Sequence, residues 1–126
     1  MADVGILYDD GVLTIRATTN GLAFAGEIDR DACPVLRRAL KDAAAQSDDS
    51  IHLDLGAVTY CDTAGLNTLI YPAVGLNTLI YPAVDSAGNG RTVVLHATPS
   101  WLCMMLRLLG WDCLPGIQMV EGAQGQ

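Results

Sequence analysis

The strongest constraint on how this chain can fold is the alternation of strand-like and helix-like apolar patterns along it. Residues 11–18, Gly-Val-Leu-Thr-Ile-Arg-Ala-Thr, alternate apolar and polar side chains. Asn20-Gly21 then offers a tight turn, and Leu22-Ala23-Phe24-Ala25-Gly26 reads as the returning strand of a hairpin. The period changes over residues 31–46, where Ala32, Val35, Leu36, Ala39, Leu40 and Ala43 fall at helical spacing with Arg37, Arg38, Lys41 and Asp42 between them. Pro34 sits in the first turn of that helix, where a missing N–H costs least. Ile51-His52-Leu53-Asp54-Leu55 is again a strand pattern, and Arg91-Thr92-Val93-Val94-Leu95-His96 has the β-branched run of a buried strand. Thr98 stands where a cap belongs, Pro99 at a first helical position, and the apolar run Ser100 to Leu109 stops at Gly110. Ile117 to Val120 is a candidate last strand. The order β-β-α-β-α-β-α, with that last strand added, joins successive strands through crossover helices, so those strands run parallel. The expected architecture is α/β, a mixed four- to five-stranded sheet covered by helices.

At 126 residues the chain holds one domain, read as residues 1–120, with Glu121 to Gln126 as a loose polar tail. A net charge of −7 with seven scattered bases argues against direct nucleic-acid binding. No apolar run approaches the ~18 to 20 residues of a membrane span, and the N-terminus has no leader pattern, so the expectation is a cytoplasmic protein without membrane insertion. The four cysteines, Cys33, Cys61, Cys103 and Cys113, form no C-x-x-C pair and no metal-ligand spacing. They read as small buried side chains kept reduced. Nothing in the sequence points to a cofactor or a metal.

Four short segments carry a family resemblance: Gly26-Glu27-Ile28-Asp29 closing the second strand, Leu53-Asp54-Leu55 in the central one, Asp62-Thr63-Ala64-Gly65-Leu66 entering the second helix, and Ala97-Thr98-Pro99 before the third. In this order, over roughly residues 11 to 120, they resemble the STAS domain of anti-sigma factor antagonists. The resemblance implies a binding module rather than an enzyme, one that sequesters an anti-sigma factor serine kinase. It also implies a switch: phosphorylation of the residue after the motif aspartate, here Thr63, ends binding. Carried over by position, the partner surface is Asp29, Asp62, Thr63, Ala64, Gly65 and Leu66. An alternative within the family is an accessory subunit on a transporter ATPase, in which Thr63 makes a constant contact and is never modified.

The residues themselves are consistent with a switch at Thr63, because a helix start beneath a strand's carboxyl end offers free backbone N–H groups and tolerates a phosphate of about −1.5 to −2 charges. Each position also has a plain structural reading. Thr63 reads as an N-cap, Asp62 as a turn or capping carboxylate, and Asp29 as a cap at the start of the first helix. Asp85-Ser86-Ala87-Gly88 mimics the motif but lacks a preceding strand and a following apolar helix, so it reads as a turn. Cys61 with His52 or His96 suggests a thiol and a base, yet packing at the sheet end explains the cysteine and sheet-face positions explain the histidines. Gly88-Asn89-Gly90-Arg91 lacks the spacing of a phosphate loop. In the third helix, Leu102, Met105, Leu106 and Leu109 read as core, whereas Trp101, Met104 and Leu108 are candidates for a dimer or partner contact.

One stretch fits no pattern of this kind. Gly-Leu-Asn-Thr-Leu-Ile-Tyr-Pro-Ala-Val occurs twice in succession, as residues 65–74 and 75–84, without a change. Continued as one helix, the second copy adds about 15 Å and about 1000° of rotation, some 80° short of whole turns, so the two apolar stripes fall out of line. Pro72 and Pro82 also oppose a continuous helix. Removing one copy restores the family's usual spacing between motif and next strand, so the second copy reads as an insertion in the second helix. The expectation is that the first copy, fused to Asp62-Thr63-Ala64, keeps the helix seat, with a kink or break near Pro72. The rival is that the second copy takes the seat and displaces Thr63. A lengthened connection also leaves a homodimer or a domain swap open.

Overall fold

The first strand is one that the patterning did not predict. Asp3–Asp9, here β1, is an apolar run interrupted by Gly5 with no alternation to announce it. The computed structural model describes residues 3–46, 50–74, 92–113 and 116–120. The second copy of the repeat, the Asp85 turn cluster, the Gly88 to Arg91 run and the tail at 121–126 lie outside them. β2 (Leu13–Thr18) and β3 (Gly21–Ile28) form the expected hairpin, and they follow β1 antiparallel. Because Thr18 pairs with Gly21, the turn residues are Thr19-Asn20, one position earlier than Asn20-Gly21. Gly21 belongs to the strand, where a Cβ would lie 1.7 Å from the His52 carbonyl oxygen.

A 3-10 turn at Arg30–Ala32 then leads into helix α1 (Cys33–Ala45), with Pro34 in its first turn as expected. β4 (Ser50–Cys61) is twelve residues long, running well past the five-residue pattern at 51–55. Register shifts between β3 and β4 explain why its far half escaped notice, since each bulge breaks the alternation. Helix α2 is Thr63–Val74, β5 is Thr92–His96, helix α3 is Ser100–Leu109 and β6 is Ile117–Val120. The cap position of α3 is Pro99 rather than Thr98, whose side chain makes no cap bond, and Gly110 ends the helix in the left-handed conformation at φ 76°.

The sheet has six strands, not four to five, in the order β1-β2-β3-β4-β5-β6. β3 through β6 are parallel, as crossover helices require. A single buried cluster joins one sheet face to all three helices: Leu13, Ile15, Leu22, Phe24, Ile51, Leu53, Leu55, Val93 and Leu95 meet Leu36, Leu40, Leu66, Leu69, Leu102 and Leu106. The other face carries a cross-strand row of Arg16, Ala23, Asp54, His96 and Val120. In α3 the core is narrower than expected. Leu102 and Leu106 are buried and Met105 is half-buried, but Leu109 is 40% exposed. Trp101, Met104 and Leu108, at helical spacing, face outward.

The repeat resolves in favour of its first copy. Residues 65–74 are the body of α2, and Leu66, Leu69 and Ile70 lie in the core. Asp62 is seated against the end of β3, so the rival in which the second copy displaces the motif is excluded. Helix α2 runs through Pro72, and its described residues end two positions later, at Val74.

Candidate functional site

The parallel strands deliver their carboxyl ends to one rim of the sheet, and two helix starts meet there. The Asp62 N–H donates to the Ile28 carbonyl at 3.1 Å, placing it where β3 and β4 end together. Its carboxylate is divided between two elements. Oδ1 accepts the Gly65 N–H at 2.7 Å and Oδ2 accepts the Arg30 N–H at 3.1 Å. The Asp62 carbonyl accepts the first helical bond from the Leu66 N–H at 2.9 Å, which makes Asp62 the N-cap of α2. The reading of Thr63 as the cap is therefore corrected. Thr63 is the first helical residue and its side chain is exposed.

Asp29 does for the neighbouring turn what Asp62 does for α2. Its Oδ1 accepts the Ala32 N–H at 3.2 Å, in keeping with the capping role read from the sequence. Cys33, directly after that turn, lies beneath the site, with Sγ 3.6 Å from the Ala64 carbonyl and 3.2 Å from the Thr68 hydroxyl. The two helix starts are thus tied together below Thr63 as well as beside it.

Gly65 is required by close approach. A Cβ there would fall 2.6 Å from Ile28 Cγ2 and 2.9 Å from the Ile28 carbonyl oxygen, distances that no side chain tolerates. Gly65 and Leu66 are buried, so they seat the helix and do not reach a partner directly. Asp29, Asp62 and Ala64 are half-buried, which leaves Thr63 as the exposed member of the set. Sequence reasoning missed Tyr60, 49% exposed two residues before Asp62, and the Arg30 N–H as second partner of the Asp62 carboxylate. Tyr60 is exposed because the register slips between Gly26 and Glu27, and no signal in the sequence marks that slip.

Cys61, at the end of β4, is not an activated nucleophile. Cys61 is buried and its thiol is pushed up to about 12, chiefly by burial and then by the adjacent Asp62 charge, so it stays protonated near neutral pH. His52 and His96 lie on the opposite sheet face, paired with one another through Nδ1 and Nε2 at 2.7 Å. Among the described residues no group of three or more histidine, cysteine or acidic side chains is gathered for a metal ion. No helix of the described residues is long and apolar enough to cross a membrane.

This arrangement, three helices on one face of a largely parallel sheet with a capped motif at its rim, is that of a STAS domain. The chain belongs to that family: residues 13–120 match the family model described as "Mlab, STAS domain". Solved structures share the fold. The anti-sigma factor antagonist SpoIIAA in its unphosphorylated form is 13% identical, with 90% of this chain and 92% of that one covered and a TM-score of 0.54. An anti-sigma factor antagonist from Mycobacterium paratuberculosis is 21% identical over 98% of this chain and 88% of that one, at 0.54. The phosphorylated form of the Bacillus cell fate determinant SpoIIAA is 15% identical, with coverages of 90% and 96% and a TM-score of 0.50. A search of curated proteins finds no significant match.

Proposed function

We propose that this chain is an anti-sigma factor antagonist: a cytoplasmic, non-enzymatic binding module that sequesters an anti-sigma serine kinase and is switched off by phosphorylation of Thr63. The observation that supports this reading is the division of labour at the rim. Asp62 rather than Thr63 caps α2, and the Thr63 side chain stands exposed at the helix start. A phosphate there gains from the helix N-terminus and costs the fold little, while adding about −1.5 to −2 charges to the contact surface. Asp29, Asp62, Thr63 and Ala64 form the outer part of that surface, and Gly65 and Leu66 hold it in place from inside.

The test is incubation of the protein with the anti-sigma kinases of its own genome and ATP, followed by mapping of the phosphate by mass spectrometry. Label at Thr63, and loss of kinase binding on labelling, is the expected result. No label at Thr63 with any of these kinases overturns it. A second reading within the family is an accessory subunit on a transporter ATPase with an unmodified Thr63. Stable capture of such an ATPase by unlabelled protein supports that second reading.

A further inference from the structure

The charges of this molecule are segregated. Helix α1 carries three bases, Arg37, Arg38 and Lys41, and one acid, Asp42, whereas the remainder of the chain carries four bases and thirteen acids. At 100° per residue the three basic side chains fall within about 100° of one another around the helix, so they share one face. All three are exposed, and among the described residues none of them forms an ion pair. Leu36, Ala39 and Leu40 point the other way, into the core, which fixes the basic face outward. An acidic protein thus keeps a cationic strip, bordered by Asp42, on a helix whose start is tied to the start of α2. The Cys33 contact with the Ala64 carbonyl puts the first turn of α1 beside Thr63, and Arg37 and Arg38 lie about one turn further on, roughly 6 to 8 Å along the axis.

We infer that the exposed basic face of α1, formed by Arg37, Arg38 and Lys41, is the second half of the docking surface and receives an acidic patch of the protein bound at Thr63. The inference rests on the reading of Thr63 as the kinase-binding site. Charge complementarity selects the occupant. Three cations suit a compact group of carboxylates, but they are too few to hold a polyanion against the surplus acid on the rest of the surface. The net charge of −7 repels a nucleic acid or an anionic membrane at long range. The strip also gives the switch a sign. A phosphate on Thr63 adds negative charge beside the first turn of the same helix, where it repels the carboxylates that the bases attract.

The experiment measures binding kinetics of the anti-sigma kinases of the same genome to the unmodified protein, to Arg37→Glu/Arg38→Glu, to Arg37→Gln/Arg38→Gln and to Thr63→Glu. Circular dichroism first confirms that each variant is folded. The expected result is a loss of affinity on the order of tenfold or more for the charge-reversed variant, carried by slower association and a flatter salt dependence, with the neutral variant between. A zero-length carbodiimide cross-link should also join Lys41 Nζ to an aspartate or glutamate of the kinase. If Thr63→Glu abolishes binding while the charge-reversed variant binds as the parent does at every salt concentration, the α1 proposal is wrong and the Thr63 reading stands. If no kinase binds the unmodified protein, both fall. If the unmodified protein binds duplex DNA or vesicles of anionic lipid and loses that binding on charge reversal, the occupant has been assigned to the wrong class.

Discussion

A single carboxylate, that of Asp62, joins two helix starts, and this makes it the residue whose replacement separates folding from switching. Asp62→Ala removes the α2 cap and the Arg30 contact together and should lower stability by about 1 to 3 kcal/mol in urea unfolding. Asp62→Asn keeps an oxygen for the Gly65 N–H and should lose less than the alanine variant. Thr63→Ala, lacking any cap bond to lose, should unfold within about 0.5 kcal/mol of the parent. Gly65→Ala reverses the usual helix preference: alanine normally gains about 1 kcal/mol over glycine, but here its Cβ meets Ile28, so the variant should be destabilised by about 1 to 3 kcal/mol. Urea midpoints of the four variants, measured together, check the ranking. The Asp62-Thr63 junction was found in the sequence through the family resemblance, since the residues alone also read as plain caps. The division of those roles was not legible. Which of two adjacent residues caps a helix depends on where the preceding strand ends, and β4 ends at Cys61 only because bulges lengthen its path beside β3.

Among the elements, β4 and β5 are joined by more than their backbones. The 5.0 Å separation of the His52 and His96 ring centres accommodates a 2.7 Å N···N contact only if both nitrogens lie near the line between the centres. The rings therefore meet edge to edge in an N–H···N hydrogen bond, although their planes differ by only 26°. One of the two nitrogens must be unprotonated for that bond to exist. Burial and the neighbouring His52 hold His96 below the ordinary histidine range, and Asp54 opposes them. A depressed folded-state value means that the unfolded chain takes up more protons as the pH falls. The contribution of His96 is therefore present above about 6.5, its unfolded value, and is lost as the pH falls through the lower folded value. Urea unfolding from pH 8 to pH 5 should show this loss in the parent and a flatter profile in His52→Ala/His96→Ala. Equal slopes would rule out the coupling. The histidines were placed correctly on a sheet face from their alternation, but the diagonal pairing was not legible, since it depends on the register between strands forty residues apart. β1 was missed for a related reason: in this edge strand the successive residues Ile6 and Leu7, on opposite faces, are both exposed, so the apolar pattern has no period of two.

For the whole molecule, the repeated decamer gives a direct test. Deleting residues 65–74 or residues 75–84 produces the same sequence, so one variant examines both copies at once. Because the first copy already fills the α2 seat, the shortened protein should keep the same sheet and helices. Its stability should lie within about 1 kcal/mol of the parent, the order of the closure entropy for ten residues in a connection. Far-ultraviolet circular dichroism and urea unfolding check this, and loss of cooperative unfolding would show that the second copy is needed. The strand order adds a consequence for how the protein is made. Each strand lies beside the one synthesised just before it, from β1 to β6. A chain leaving the ribosome can therefore extend the sheet one edge at a time, without holding any strand open for a partner made much later. An insertion between β4 and β5 delays one such addition by ten residues, about 0.5 to 2 s of synthesis at the usual rate, and leaves the nascent hairpin and α1 undisturbed.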